Sequence, residues 1–155
     1  MGRVRPILAI KFIDFILSRA ISFVTKTTPI TVLCVDDAVD ITRLIAMAIA
    51  SEADMDVVGE LNSAENLLEE LRDREPDVML LDLTMPGVDV MDALPEIVAQ
   101  SPKTRTVVFS GHDDQQRIDA AIEAGAWGYI SKNVELPALI EGIRQVARGE
   151  VVALR

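Results

Sequence analysis

Cysteine occurs once in the 155 residues, at Cys34, which excludes a disulfide framework and a cysteine-built zinc site. Cys34 lies inside an apolar run and reads as core packing. Basic residues are the minority, 15 against 25 acidic ones, for a formal net charge of −10. Contact with nucleic-acid phosphates needs a basic face, so direct DNA binding is not expected. A long unbroken hydrophobic run is missing too. Residues 7–24 come nearest, but Lys11, Asp14 and Arg19 interrupt them, and three charges make a membrane span expensive. The same interruptions, and the lack of a small-residue cleavage site, argue against a signal peptide. What the chain does have is apolar residues, 50% of the total, enough to bury the core of one domain. The composition suits a soluble cytoplasmic domain.

Residues 1–28 stand apart from the rest. Lys11, Asp14, Ser18 and Ser22 follow one another at spacings of three, four and four, a narrow polar stripe on an otherwise apolar helix. Three readings fit this extension. It packs as a helix on its own domain or on a partner copy in a homodimer. It lies on a membrane surface, aided by Arg3, Arg5, Lys11 and Arg19. Or it reflects start-site choice, since the regular pattern begins at Pro29. The division is therefore an extension over 1–28, a domain over 29–150 and a tail over 151–155.

Within the domain, strands and helices alternate. Residues 30–35 form an apolar strand ending at Asp36-Asp37. A helix over 38–51 is expected to turn Ile41, Leu44, Ile45, Ala48 and Ile49 inward, with Met47 also in the core. A short strand covers 56–60. Ser63 is placed as the N-cap of a helix burying Leu67, Leu68 and Leu71, which Pro76 stops. Residues 77–82 are a strand buried on both faces, followed at once by the Pro86-Gly87 turn. A helix over 90–100 contains Pro95, a candidate kink. A fourth strand spans 104–110, and Asp113-Asp114 open a helix closed by Gly125. A fifth strand spans 127–131, with Trp127 as core, and a last helix runs from 135 or 136 to 148, capped by Gly149. Strict βα alternation calls for a doubly wound five-stranded parallel sheet with helices on both faces, an α/β fold.

In such a sheet the carboxyl ends of the strands share one edge, where ligands bind. Asp36, Asp37, Asp82, Ser110 and Lys132 each sit at or just past a strand end. Each alone has an ordinary reading: helix cap, turn acid, capping hydroxyl, solvated lysine. Together they gather three carboxylates that would repel without a cation, and oxygen ligands without His or Cys favour Mg²⁺ or Mn²⁺. A carboxylate, a hydroxyl and a lysine beside such a metal suit phosphoryl chemistry, with the carboxylate as candidate nucleophile.

Over residues 29–150 this set resembles the receiver domain of bacterial two-component response regulators. The matching positions are Asp36-Asp37, Asp82 followed by Leu-Thr-Met-Pro-Gly, Ser110, Tyr129 and Lys132. The stretches Ser110-Gly-His-Asp-Asp, Glu123-Ala-Gly-Ala-Trp-Gly-Tyr and Ile143-Arg-Gln-Val-Ala-Arg-Gly-Glu resemble the NarL-like subclass. The resemblance implies a flavodoxin-like strand order 2-1-3-4-5. It implies that Asp82 accepts a phosphoryl group from a sensor histidine kinase, a phosphotransfer protein or a small acyl phosphate. Asp37, Asp36 through water, Asp82 and the Thr84 backbone carbonyl would hold Mg²⁺. Lys132 would pair with Asp82 before reaction and with a phosphoryl oxygen after it. Ser110 and Tyr129 would switch inward, and Thr84 and His112 would tune autodephosphorylation. No independent substrate turnover is implied.

Two other readings are carried along. A protein-binding pseudo-receiver would act without phosphorylation, and a haloacid-dehalogenase-like phosphatase would need a second acid where Thr84 stands. Val90 replaces a glycine common in the family, so the loop after Asp82 is expected to be shaped differently; Asn133 replaces a common proline. NarL-like regulators usually continue into a helix-turn-helix domain, so the chain is expected to be a stand-alone receiver or one whose output domain lies outside this sequence.

Overall fold

The structure is a computed structural model that describes residues 28–155; the expectations for residues 1–27 lie outside the described residues. Among the described residues eight strands and five helices follow in the order β1 (Ile30–Val35), α1 (Val39–Ala50), β2 (Met55–Leu61), α2 (Leu67–Arg74), β3 (Val78–Leu81), β4 (Thr84–Met85), β5 (Val88–Asp89), α3 (Val90–Gln100), β6 (Arg105–Ser110), α4 (Gln115–Glu123), β7 (Gly128–Ser131), α5 (Leu136–Ala147) and β8 (Val152–Leu154). The main sheet is parallel, in the order β2-β1-β3-β6-β7-β8. Its first five strands reproduce the expected doubly wound order.

Alternation along the strands divides the core into two layers. Val32, Cys34, Val78, Leu80, Val107, Phe109 and Ile130 face α1 and α5, against Ala46, Ile49, Leu139 and Ile143. Leu33, Val35, Met79, Leu81, Val108 and Tyr129 face α2, α3 and α4, against Leu71, Leu94, Ile97 and Ile118. Every residue of β3 is buried, as a central strand of a two-sided sheet requires. The Cys34 thiol is buried, and its pKa is pushed up to about 12, chiefly by desolvation.

Several local expectations are corrected. Residues 151–155 are not a free tail: Val152–Leu154 add a sixth strand beside β7. Gly128 and Gly142 make room for it, since a Cβ on Gly128 would lie 2.8 Å from Val152 Cγ2 and one on Gly142 3.0 Å from Leu154 Cδ1. The face of α1 is also rotated from the one expected. Thr42, Ala46 and Ile49 are buried, whereas Ile41, Leu44 and Met47 stand exposed. This helix is apolar around most of its circumference, and its small residues give the closest approach to the sheet. Ser63 does not cap α2, which begins four residues later behind Asn66; the Ser63 hydroxyl accepts from Glu65 N–H in the preceding turn.

The stretch after Asp82 folds as a miniature antiparallel hairpin, β4 against β5, with Gly87 at φ +78°. Only glycine enters that conformation without steric cost. Asp89 then caps α3 by accepting from Asp92 N–H, and Val90 is buried as the helix's first residue. Helix α3 runs through Pro95, whose missing N–H leaves the Met91 carbonyl without its usual partner.

Candidate functional site

Strand register sets the site. Val35 pairs with Leu81 and Leu81 with Val108, while Ser110 pairs with Ser131. Three backbone bonds extend the ladder past these ends. Asp82 N–H donates to the Val35 carbonyl at 2.9 Å, Asp36 N–H to Leu61 at 3.0 Å, and Lys132 N–H to Ser110 at 2.8 Å. The backbones carrying Asp36, Asp82 and Lys132 are thus fixed by the sheet itself, not by loose loops.

Among the described residues, Asp36, Asp37 and Asp82 are brought together so that one carboxylate oxygen of each lies within 4.8 Å of the others. Asp36 and Asp82 are buried at 5% and 4% exposure, while Asp37 faces solvent. Lys132 Nζ bridges the two buried acids, 2.6 Å from Asp36 Oδ2 and 3.4 Å from Asp82 Oδ2. The expected pairing with Asp82 is present, yet the closer contact is with Asp36. That contact is one of charge, because Asp36 Oδ2 still lacks a hydrogen-bond donor of acceptable geometry. A buried oxygen short of a donor, in a set of three hard oxygen ligands, is a position that a small divalent cation fits.

Burial raises the Asp82 carboxyl above the ordinary carboxylate range, and the Asp36 charge adds to this. Lys132 and a hydrogen bond from the Thr84 backbone pull the other way. The nucleophile candidate is therefore poorly hydrated: burial disfavours its charge, Lys132 and the Thr84 N–H offset part of that cost, and the ionised carboxylate has little water to shed before it meets an electrophile.

Ser110 and Tyr129 are both fully buried. Ser110 Oγ accepts from His112 N–H at 3.2 Å, and the Tyr129 hydroxyl donates to the His112 carbonyl at 2.5 Å. Tyr129 thus sits inward, locked to the loop that follows β6. Desolvation pushes its phenol up, while a hydrogen bond with Ser110 draws it down. The His112 and Thr84 side chains are exposed.

Two contributors were not expected from the sequence. Thr42 Oγ1 donates to the carbonyls of Asp36 (3.1 Å) and Ala38 (3.0 Å), and Ala38 N–H donates to Asp36 Oδ1 at 2.9 Å. Together they pin the acidic loop to the start of α1. Phe109 places its ring 5.8 Å from Lys132 Nζ, beneath the ammonium. A threonine in a helix and a phenylalanine in a buried strand carry no local signal of such roles.

The response regulator receiver domain model matches residues 32–144, which is most of the chain. The chain belongs to this family. Its NarL-like character shows in the relatives. The nitrate/nitrite response regulator protein NarL of Escherichia coli K12 is 34% identical over 124 residues, which are 80% of this chain and 57% of that protein. The chemotaxis protein CheY of Thermotoga maritima is 31% identical over 76% of this chain and 97% of its own length. The crystal structure of a LuxR-family two-component response regulator from Aurantimonas superposes with a TM-score of 0.76 at 26% identity, covering 81% of this chain and 89% of that one. The chain spans a little over half the length of the NarL protein it matches. As a receiver domain of the two-component type, its fold places the acidic cluster, Ser110 and Lys132 on one edge of the sheet. Among the described residues, no helix is long and apolar enough to cross a membrane.

Proposed function

We propose that this receiver domain is a cytoplasmic phosphoacceptor whose Asp82 takes a phosphoryl group, with Mg²⁺ held by Asp36, Asp37, Asp82 and the Thr84 carbonyl. The observation that carries the reading is the buried Asp82 carboxylate flanked by two further carboxylates and a bridging lysine. An Asp82 oxygen forms the new bond to phosphorus as the bond to the donor, a phosphohistidine nitrogen of a sensor kinase or an acyl phosphate oxygen, breaks. When bound, Mg²⁺ neutralises charge on the phosphoryl oxygens. Lys132, already within reach of Asp82, moves its charge from the carboxylate to a phosphoryl oxygen. Ser110 exchanges its bond to His112 N–H for one to the phosphoryl group, which loosens or tightens the Tyr129–His112 link and so repacks the surface of α4, β7 and α5. Thr84 and His112, two positions past Asp82 and Ser110, control access of the water that hydrolyses the acyl phosphate. No separate substrate is turned over, because Thr84 stands where a dehalogenase-type phosphatase needs its second acid.

The test uses the full chain with Mg²⁺ and beryllium fluoride, or acetyl phosphate, read by hydrogen exchange. Altered protection in α4, β7 and α5 is expected in the wild type and lost in Asp82→Asn. An unresponsive wild type would overturn the reading.

A further inference from the structure

Thr42 stands near the start of α1 and is 2% exposed. A threonine inside a helix ordinarily returns its hydroxyl proton to the carbonyl four residues back, and Thr42 Oγ1 does lie 3.0 Å from the Ala38 carbonyl. That carbonyl, however, already accepts the Thr42 N–H at 2.9 Å. The hydroxyl has a second acceptor in reach, the Asp36 carbonyl at 3.1 Å, six residues back and outside the helix. One hydroxyl carries one proton, and among the described residues the Asp36 carbonyl has no other donor.

We propose that Thr42 is a positioning residue for the divalent cation: its hydroxyl holds the peptide plane between Asp36 and Asp37 and so aims the Asp37 carboxylate into the acidic cluster. The inference rests on the reading of Asp36, Asp37 and Asp82 as the ligands of that cation.

The two neighbouring acids are secured very differently. Asp36 N–H donates to the Leu61 carbonyl at 3.0 Å, its Oδ1 accepts from Ala38 N–H at 2.9 Å, and its Oδ2 faces Lys132 Nζ at 2.6 Å. Asp37 is exposed, and among the described residues nothing donates to its carboxylate. Its direction is therefore set by the backbone alone. The Asp36 carbonyl and the Asp37 N–H share one rigid plane, so the bond from Thr42 fixes how the chain enters Asp37. Ala38, the N-cap of α1, makes no side-chain cap of its own, which leaves Thr42 as the side chain tying this loop to the helix. A small divalent cation tolerates little error in ligand position. A loop free to pivot at Asp36 would lose affinity even with all three carboxylates in place.

The test compares Thr42→Val, Thr42→Ser and Thr106→Val with the wild type in the full chain. Mn²⁺ alone is the probe, and loss of the free-ion paramagnetic resonance signal measures its binding. Valine keeps the branched shape and loses the hydroxyl, whereas serine keeps the hydroxyl. Thr106, fully buried with an unpartnered hydroxyl, controls for the loss of any buried hydroxyl. Thr42→Val should weaken Mn²⁺ binding about tenfold, the loss expected when a group that orients a metal ligand is removed, while Thr42→Ser and Thr106→Val stay within about twofold. In chelator, without metal, amide exchange at Asp37 and Ala38 should rise in Thr42→Val and not in Thr42→Ser. Urea unfolding followed at Trp127 reports whether each fold is intact. Should Thr42→Val not fold, Thr42→Ala removes the same hydroxyl with less bulk, and failure of both to fold would make Thr42 a residue of the fold and overturn the proposal. Binding by Thr42→Val as tight as in the wild type would overturn it too. So would Thr42→Ser as weak as Thr42→Val, which assigns the effect to methyl packing, or Thr106→Val as weak as either, which reduces it to general loosening. A wild type that binds no Mn²⁺ would overturn the reading of the three acids as ligands, and this inference with it.

Discussion

At Lys132 one ammonium faces two buried carboxylates, and removing either kind of partner has opposite consequences. Lys132→Met leaves Asp36 and Asp82 to repel each other without a counter-charge, and in chelator it should destabilise the fold by about 2 kcal/mol. Asp82→Asn removes one buried charge and keeps the closer Lys132–Asp36 contact of 2.6 Å, so under the same conditions it should stabilise by on the order of 1 kcal/mol. Urea titration of both variants checks the opposite signs. A second residue tests the sheet rather than the site. Thr106 is fully buried and its hydroxyl has no hydrogen-bond partner. Thr106→Val keeps the shape and sheds the unsatisfied group, so stability should be unchanged or rise by about 1 kcal/mol; a loss above that would reveal a hidden partner for the hydroxyl.

Among the elements, β8 depends on what lies beneath it. Gly128→Ala would drive a Cβ to 2.8 Å from Val152 Cγ2 and 3.4 Å from both Val107 methyls. Valine is too short and stiff to swing aside, so the substitution should cost about 1–3 kcal/mol and raise amide exchange in residues 152–154 before the other strands. How legible each element was follows from how much of its environment is local. The strands of the main sheet before β8 and the edge holding Asp36, Asp82, Ser110 and Lys132 could be read because buried parallel strands are continuous apolar runs with reactive residues at their ends, whereas the strand order followed from the resemblance to receiver domains. The bounds of α3 were legible for a similar reason, with Asp89 capping and Gln100 ending a periodic stretch. The orientation of α1 was not, because Ile41, Leu44 and Met47 offer as good an apolar face as Ala46 and Ile49; the choice is made by packing against the sheet. Strand β8 escaped notice because three residues give no period, and the partner strand lies across a helix.

For the molecule as a whole, two acids with opposite shifts shape the dependence of stability on pH. Asp54 is lowered, chiefly by its hydrogen bond with Arg144, which joins α5 to the turn after α1 through Glu52 as well. Its contribution is present above the ordinary aspartate value and is lost as pH falls through the depressed one. Asp82 is raised, so its contribution is present below the ordinary value and is lost as pH rises through the raised one. In chelator, acidifying from neutrality should therefore first raise the urea midpoint and then lower it. Asp82→Asn should lack the initial rise, and Arg144→Gln should soften the later fall.

The single tryptophan gives the molecule a built-in optical probe with a blind spot. Trp127 immediately precedes β7, at the end away from Lys132, with the Arg105 guanidinium 5.2 Å from its ring centre. Its emission should follow loss of the sheet faithfully in denaturant. It should stay nearly flat when the opposite edge is titrated with Mg²⁺ and beryllium fluoride, so a silent fluorescence trace would report the location of the fluorophore and say nothing about whether Asp82 had reacted.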